Sequence, residues 1–225
     1  MLNTMRQPAH VRFKENRPLQ LLAGAYLLIW ITTAYRPLYP STWLLENLLV
    51  FVFVPTLVLT YKRVPLSLLS YTLITLFLTI HAIGAHYTYA RVPFGFWLKE
   101  QLGFSRNHFD RIAHLGFGLL MAYPIREALC RLANLKGFWS YCLPFCATVT
   151  CTAIFELAEW CGASLAHPDL GAQYLGMQGD IWDAQKDMLM ALVGAFVCIL
   201  LTWNVESAMT RGDRPAPPTT TGSLP

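Results

Sequence analysis

Charged residues are scarce in this sequence. Only 13% of the 225 residues are Asp, Glu, Lys or Arg, whereas 55% are hydrophobic, and the mean hydropathy is +0.40. Soluble domains carry about a quarter charged residues, so this deficit excludes an ordinary soluble globular protein. Long apolar runs accompany the deficit, and the two features together predict an integral membrane protein.

Three further absences narrow the class of protein. The six cysteines form no C-x-x-C pair and most lie within apolar runs, which disfavours a disulfide scaffold and favours small packing residues. The basic residues form no stripe interleaved with exposed aromatics, so the net charge of +4 does not indicate a nucleic-acid partner. No small-residue cleavage site follows the basic N-terminus, which therefore predicts an uncleaved membrane anchor.

Six apolar segments approach the length of about 20 helical residues that crosses a bilayer. They lie at 19–35, 43–60, 65–85, about 108–129, about 138–161 and about 180–203. We therefore predict an all-α, polytopic membrane protein built as a bundle of about six transmembrane helices. Its predicted parts are a basic cytoplasmic arm at 1–18, one transmembrane domain at 19–205, and a disordered cytoplasmic tail at 206–225.

The distribution of Lys and Arg gives these segments an orientation. Eleven of these residues fall on the side that holds both termini and four on the other, omitting two within helix mouths. Because cytoplasmic loops are enriched in Lys and Arg, we predict a multi-pass protein of the bacterial inner membrane with both termini in the cytoplasm. The long segments at about 86–107 and 162–179 then face outward, and we expect the Gly-rich second one to be a loop that folds over the outer face.

This topology brings acidic and imidazole side chains from four helix ends to the outer membrane face. Asp110 and His114 are four residues apart and share one helix face, and Glu156 and Glu159 are close neighbours by the same rule. Asp180, Asp183 and Asp187 follow the spacing of a single helical stripe. The assembled candidates are His81, His86, Asp110, His114, Glu156, Glu159, Asp180, Asp183 and Asp187.

A metal site is one interpretation of this cluster. Carboxylate oxygens favour Mg²⁺, Ca²⁺ or Mn²⁺, and added imidazoles shift the preference towards Mn²⁺, Fe²⁺ or Zn²⁺. The Glu-x-x-His signature of a di-iron bundle is absent, because "FELAEW" offers Glu-x-x-Glu. The residues assigned as metal ligands are His81, His86, Asp180 and Asp187. The favourable dipole of a helix N-terminus explains Asp180 and Asp183 equally well without any metal.

A second interpretation makes the cluster a metal-free general acid–base centre in which His114 pairs with Asp110 or Glu156. The catalytic candidates are His114, Asp110, Glu156, Glu159 and Asp183. Substrate contacts are assigned to Arg106, Asn107 and Gln178. At the outer leaflet such a site meets phospholipid head groups and lipid-linked envelope precursors, whose phosphates require a basic or metallic counter-charge.

The motifs that carry the cluster resemble a known family. The runs "HAIGAHYTYARVPFGFW", "RNHFDRIAHLGFGLL", "IREALCR", "FELAEW" and "LGMQGDIWDAQKDM" are similar to the YjdF-like family of predicted bacterial inner-membrane proteins. The resemblance covers roughly residues 40–205. It implies a helical inner-membrane protein and adds no statement about the chemistry.

A more distant likeness is to VanZ-like membrane proteins. The matching positions are Asp110 with His114, Glu156 or Glu159, and Asp183 or Asp187 before Gly194 and Ala195. VanZ-like proteins are associated with glycopeptide resistance and are grouped by sequence with enzymes that exchange phospholipid head groups. The likeness therefore implies a reaction on a lipid or envelope precursor at the outer leaflet.

From these features we expect an enzyme that acts on a lipid head group or a lipid-linked envelope precursor, with membrane lipids as partners and a divalent metal ion as its candidate cofactor. Two alternatives stay open, namely a non-catalytic membrane sensor or partner subunit, and a metal- or proton-coupled transporter. The transporter is disfavoured because the inner halves of the last three segments, "GLLMAY", "LPFCATVT" and "GAFVCILL", hold little that is ionisable.

Overall fold

A computed structural model describes residues 11–212, and these residues form helices and no strand. A short 3₁₀ helix, Phe13–Glu15, precedes eight α-helices in this part of the chain. The α-helices are α1 Arg17–Ala34, α2 Pro40–Thr60, α3 Leu68–Tyr87, α4 Pro93–Leu102, α5 Phe109–Ala133, α6 Trp139–Leu165, α7 Pro168–Leu175 and α8 Asp183–Gly212. The prediction of an all-α fold is confirmed.

Helix α8 continues to Gly212, past the expected end of the transmembrane domain at 205. The first residues of the predicted tail are therefore helical. The rest of that tail, 213–225, and residues 1–10 of the predicted arm lie outside the described residues.

Among residues 11–212, four helices are long and apolar enough to cross a membrane. These are α2, α3, α6 and α8, with mean hydropathies from 1.5 to 2.2. Only 17–44% of each apolar window is buried inside the described structure, so most of each window faces outward, as contact with lipid requires. Helices α1 and α5 do not meet the same measure, and α4 and α7 are too short to span. Four of the six predicted spans thus have the length and hydropathy of a transmembrane helix.

Proline and small polar side chains set where several helices begin. Pro40, Pro93 and Pro168 open α2, α4 and α7, where the missing proline N–H is not needed. Helix α3 begins at Leu68 rather than at 65, because the Ser67 hydroxyl accepts a hydrogen bond from the Ser70 backbone N–H at 3.2 Å.

The most extensive helix contact joins α5 and α8, and it is made by small residues. A Cβ added at Gly118 would overlap the carbonyl oxygen of Ala191, and one added at Gly194 would overlap that of Leu115. Ala191 and Ala195 are fully buried in the same contact. The two backbones therefore touch directly, as in transmembrane helix pairs built on small residues. This contact places the first two turns of α5 beside those of α8.

Ion pairs close the opposite end of the bundle. Arg126 on α5 donates to both carboxylate oxygens of Glu206 on α8, at 3.0 and 2.9 Å. Glu127 accepts from the Ser67 backbone and hydroxyl and pairs with Arg131 at 2.6 Å. This end therefore holds more ionisable groups than the sequence analysis expected, because the span ending at 203 omitted Glu206. Each of these carboxylates is paired with an arginine.

The Gly-rich segment at 162–179 differs from the expected loop. Helix α6 extends through its start and α7 occupies its middle. Gly171 of α7 packs against the Ala163 carbonyl of α6, where an added Cβ would lie 2.5 Å from the oxygen. The Thr42 hydroxyl donates to Gln173 at 3.2 Å and ties α7 to α2. The segment is thus a packed helical cover over this end of the bundle.

The substitution Gly194→Leu is expected to destabilise the bundle, because the new side chain would overlap the backbone of α5. Overpacking a core costs about 1–3 kcal/mol, and we expect the upper end since a backbone neighbour cannot rotate away. Thermal unfolding in mild detergent measures the loss. The matched control is Gly24→Leu, because an added Cβ at Gly24 meets nothing within 4 Å. Equal melting temperatures for the two variants would contradict the packing.

Candidate functional site

Carboxyl groups from four helices gather at the end of the bundle where α5 and α8 begin. The group comprises Glu46 on α2, Asp110 on α5, Glu156 and Glu159 on α6, Asp183 and Asp187 on α8, and Asp180 in the turn before α8. The basic side chains bonded within this group are Arg106, Arg111 and Lys186. The seven acids therefore outnumber the three permanent cations among the described residues.

Asp183 receives most of the positive charge. Arg106 is 5% exposed and donates both terminal nitrogens to the two Asp183 oxygens, one of them at 3.1 Å. Arg106 also donates to the Met177 carbonyl at 2.9 Å, and Arg111 donates to Asp183 at 3.3 Å. Arg106, which the sequence analysis assigned to substrate contact, therefore forms an ion pair with a carboxylate of the protein itself.

Asp180 lies in the turn before α8 and forms the outermost ion pair of the group. Its carboxylate accepts from Lys186 at 2.9 and 2.7 Å, from the Trp182 backbone N–H, and from Arg111. The Lys186 hydrogen bond, with help from these other donors, holds the pKa of Asp180 well below its usual range. Because α8 starts at Asp183, Asp180 does not continue the predicted helical stripe, and its carboxylate is fully used in ion pairs.

Three aspartates converge below this layer. One carboxylate oxygen from each of Asp110, Asp183 and Asp187 lies within 4.8 Å of the other two. Asp187 is 2% exposed, and its Oδ1 has no hydrogen-bond partner among the described residues. The basic neighbour of Asp110 is His114, whose Nε2 is 3.7 Å away. The arginines therefore bond Asp183, and among the described residues no permanent cation is bonded to Asp110 or Asp187.

His114 bridges α5 and α6 within the same group. Its Nε2 lies 3.2 Å from Glu156 Oε1, and its Nδ1 lies 3.2 Å from the hydroxyl of Thr152, one turn earlier on α6. The ring also contacts Phe155 edge-on, with centroids 5.8 Å apart. The buried imidazole therefore has the Thr152 hydroxyl at one nitrogen and two carboxyl groups near the other. Asp110, His114 and Glu156, which the sequence analysis assigned to catalysis, thus lie side by side.

Glu46 was missed by the sequence analysis. It is 3% exposed on α2, its Oε2 has no hydrogen-bond partner among the described residues, and it lies within electrostatic reach of Asp110. Glu159 lies within electrostatic reach of Glu46, Glu156 and Asp187, which places the last catalytic candidate beside the group. Glu46 is the one ionisable residue of α2, and an ionisable residue inside an apolar span is itself a signal of function.

The two histidines near the end of α3 bond to different parts of the molecule. His81 Nδ1 lies 2.5 Å from the hydroxyl of Tyr89, which burial keeps protonated by raising its pKa, and Tyr89 is within electrostatic reach of Glu46. His86 instead bonds the Thr33 carbonyl on α1 at 2.7 Å, away from the carboxyl group. The structure therefore places His81 beside the site and His86 outside it.

A left-handed turn aims Tyr89 at His81. Thr88 and Tyr89 have φ angles of 60° and 44°, a conformation that a β-branched residue such as Thr88 rarely adopts. Gly84 leaves room for the Tyr89 ring, since an added Cβ there would lie 2.5 Å from the ring edge. Strained backbone of this kind concentrates at functional sites, where surrounding packing enforces it.

Asn107 and Gln178 join the two segments that precede α5 and α8. Gln178 accepts from the Asn107 backbone N–H at 3.0 Å and donates to the Asn107 carbonyl at 2.9 Å. The Asn107 side chain accepts from the Phe109 N–H and donates to the Val92 carbonyl, each at 3.0 Å. Both side chains, assigned to substrate contacts, are thus occupied in holding the backbone, and Gln178 does so with a φ of 50°.

Two clefts lie outside this cluster of carboxyl groups. One of about 290 Å³, between α2 and α7, is lined by Tyr39, Pro40, Ser41, His167, Asp169, Leu170 and Gln173. Its floor adjoins the bonded pair Thr42 and Gln173, and Thr42 lies one turn before Glu46. A second, apolar cleft of about 420 Å³ lies between α1 and α3, beside Leu21 and Leu68. The α2–α7 cleft is therefore the one that lies towards the buried acids.

Comparison with known proteins gives the family. The family model described as "Predicted membrane protein (DUF2238)" matches residues 18–208, a range that includes all seven carboxyl groups. The inner membrane protein YjdF of Escherichia coli (strain K12) is 40% identical over 187 residues, which cover 82% of this chain and 89% of that protein. No solved structure matches the chain. The resemblance to YjdF-like proteins is confirmed, and the chain belongs to the DUF2238 family of multi-pass inner-membrane proteins.

Proposed function

We propose that this protein is a six-span enzyme of the inner membrane that acts on the polar head group of a lipid or a lipid-linked envelope precursor. The observation that carries the proposal is the position of His114, held by Thr152 on one nitrogen and facing Glu156 and Asp110 with the other. The six spans are the four apolar helices together with α1 and α5, which have comparable lengths.

The position of His114 between Thr152 and two carboxyl groups supports general acid–base catalysis. With Thr152 accepting from Nδ1–H, Nε2 is free to take a proton from a substrate hydroxyl or from water. Asp110 and Glu156 then stabilise the imidazolium that forms, as carboxylates next to catalytic histidines do. Such a unit supplies the proton transfers that transfer or hydrolysis of a phosphate-linked head group requires.

The orientation is part of the proposal. The Lys and Arg bias predicts that both termini face the cytoplasm, which puts the cluster of carboxyl groups at the outer leaflet. A fluorescent protein fused to the C-terminus should therefore fluoresce. Alkaline phosphatase inserted at Gly103, in the connection before α5, should be active because that enzyme requires export. The opposite pattern of activities would reverse the orientation.

The packing disfavours a transporter. The Gly118 and Gly194 backbone contacts leave no room for a water path between α5 and α8, and the Arg126–Glu206 pair closes the far end. A sensor is the second candidate, because both described clefts are lined by residues other than these acids. A sensor would respond to a ligand without altering the lipid composition of the cell.

Lipid analysis of a deletion strain tests the enzymatic proposal. The strain is expected to accumulate a lipid or lipid-linked precursor, detected by mass spectrometry, that the wild-type chain removes. His114→Ala and Glu156→Gln should each slow this removal about a hundredfold or more, the range that general acid–base catalysis contributes. Glu100→Gln is the matched control for Glu156→Gln, because Glu100 is exposed on α4 and its substitution should leave turnover unchanged.

Two outcomes would contradict the enzymatic proposal. One is full complementation by His114→Ala when the variant is present in the membrane at the wild-type level. The other is an unchanged lipid profile in the deletion strain, which would leave the sensor as the better account.

A further inference from the structure

We propose that Asp110, Asp183 and Asp187 form a binding site for one divalent cation. Their carboxylate oxygens come from two helices, and one oxygen of each lies within 4.8 Å of the other two. A hard cation with ligand distances of 2.0–2.6 Å fits between oxygens at this separation after small side-chain rotations. The site goes beyond the proposed lipid chemistry, because cation binding is measured without any substrate.

Asp187 supplies the observation that points to a ligand. Its side chain lies in the second turn of α8, is 2% exposed, and has an oxygen without any hydrogen-bond partner among the described residues. A buried carboxylate is stable when it is paired, protonated or bound to a metal. Its carboxylate faces Asp110 and Asp183, so the missing partner belongs between the three acids.

The nearby basic groups do not supply the missing partner of Asp187. Lys186 bonds Asp180, Arg106 bonds Asp183, and Arg111 is shared by Asp180 and Asp183. Asp183 accepts from the arginines twice on Oδ1 and once on Oδ2, which leaves a lone pair of Oδ2 for a cation. Asp110 and Asp187 have no bonded permanent cation among the described residues. The arginines also fix Asp183 in one orientation, as outer partners of a metal ligand do.

The ligand chemistry selects the ion. Three carboxylates offer oxygen only, which suits Mg²⁺, Ca²⁺ or Mn²⁺ rather than thiolate-seeking metals. This set of metal ligands differs from the one predicted from the sequence. His86 bonds a carbonyl of α1, and Asp180 is paired with Lys186. Of the four residues assigned to a metal from the sequence, Asp187 is the one that this site retains.

Manganese binding to the full chain tests the site. The protein, purified in mild detergent and freed of metal with a chelator, is titrated with Mn²⁺ while the free ion is followed by electron paramagnetic resonance. We expect one saturable Mn²⁺ per chain and a rise in melting temperature on binding. Asp187→Asn should weaken binding by at least about tenfold, because disturbing an outer partner alone costs about that much.

The control variant is Asp169→Asn, the same substitution at an acid whose side chain is 97% exposed on α7. It should bind Mn²⁺ as the wild type does. Without metal, Asp187→Asn should melt no lower than the wild type, because it removes an unpaired buried charge, so lost binding is not confused with misfolding.

Three results would overturn the site. They are the absence of saturable binding, equal binding by Asp187→Asn and wild type, and equal loss in Asp187→Asn and Asp169→Asn, which would indicate an adventitious surface ion only. Wild-type Mn²⁺ binding is independent of the lipid profile of the deletion strain, so failure of one proposal leaves the other standing.

Discussion

The direct backbone contact between α5 and α8 is the constraint on which the rest of this structure depends. Gly118 and Gly194 permit it, since a side chain at either position would meet a carbonyl oxygen of the partner helix. In lipid there is no hydrophobic force between apolar helices, so close packing of small residues supplies the association. The contact sets Asp110 and His114 beside Asp183 and Asp187. The glycines in the middle of the two helices thus determine where the acids at one end of the bundle lie.

The cost of burying so many acids explains how the site is organised. Each uncompensated carboxylate in a low-dielectric interior costs several kcal/mol, so the chain brings its arginines and a lysine to the outer layer. That layer satisfies Asp180 and Asp183. The inner layer consists of Asp110, Asp187 and Glu46. Its negative charge is compensated by protonation, by His114 or by a bound cation. Buried carboxyl groups without a bonded cation distinguish this end of the bundle from the opposite end, where Glu206 and Glu127 are paired with arginines.

Much of this arrangement was predictable from the sequence. Hydropathy located the long helices, and the alternation of inner and outer ends placed His114, Glu156 and Asp183 at one face without any coordinates. The spacing of Asp110 and His114 by four residues correctly put both on one side of α5. These predictions hold because they rest on helix period and bilayer thickness, which act locally and leave few alternatives.

Other features depended on tertiary contacts that no local pattern records. The roles of Asn107 and Gln178 follow from a contact between two segments, one before α5 and one before α8, that lie 71 residues apart in the chain. His86 bonds α1 because five residues along a helix place it on a different face from His81, and that spacing does not say which of the two faces the site. Glu46 was not predicted, although a single acid inside the apolar run of α2 is itself a signal of function.

The most direct test of this account is the proximity of α5 and α8 at the acids themselves. In a chain whose native cysteines are replaced, Asp110→Cys and Asp187→Cys would be treated with a short thiol cross-linker and then cut at a protease site inserted between α6 and α7. Since the carboxylate oxygens lie within 4.8 Å, the two fragments should remain joined until reduced, whereas an Asp110→Cys and Asp169→Cys pair should separate. Fragments that separate for the first pair, in protein that is folded and fully modified, would contradict the shared site.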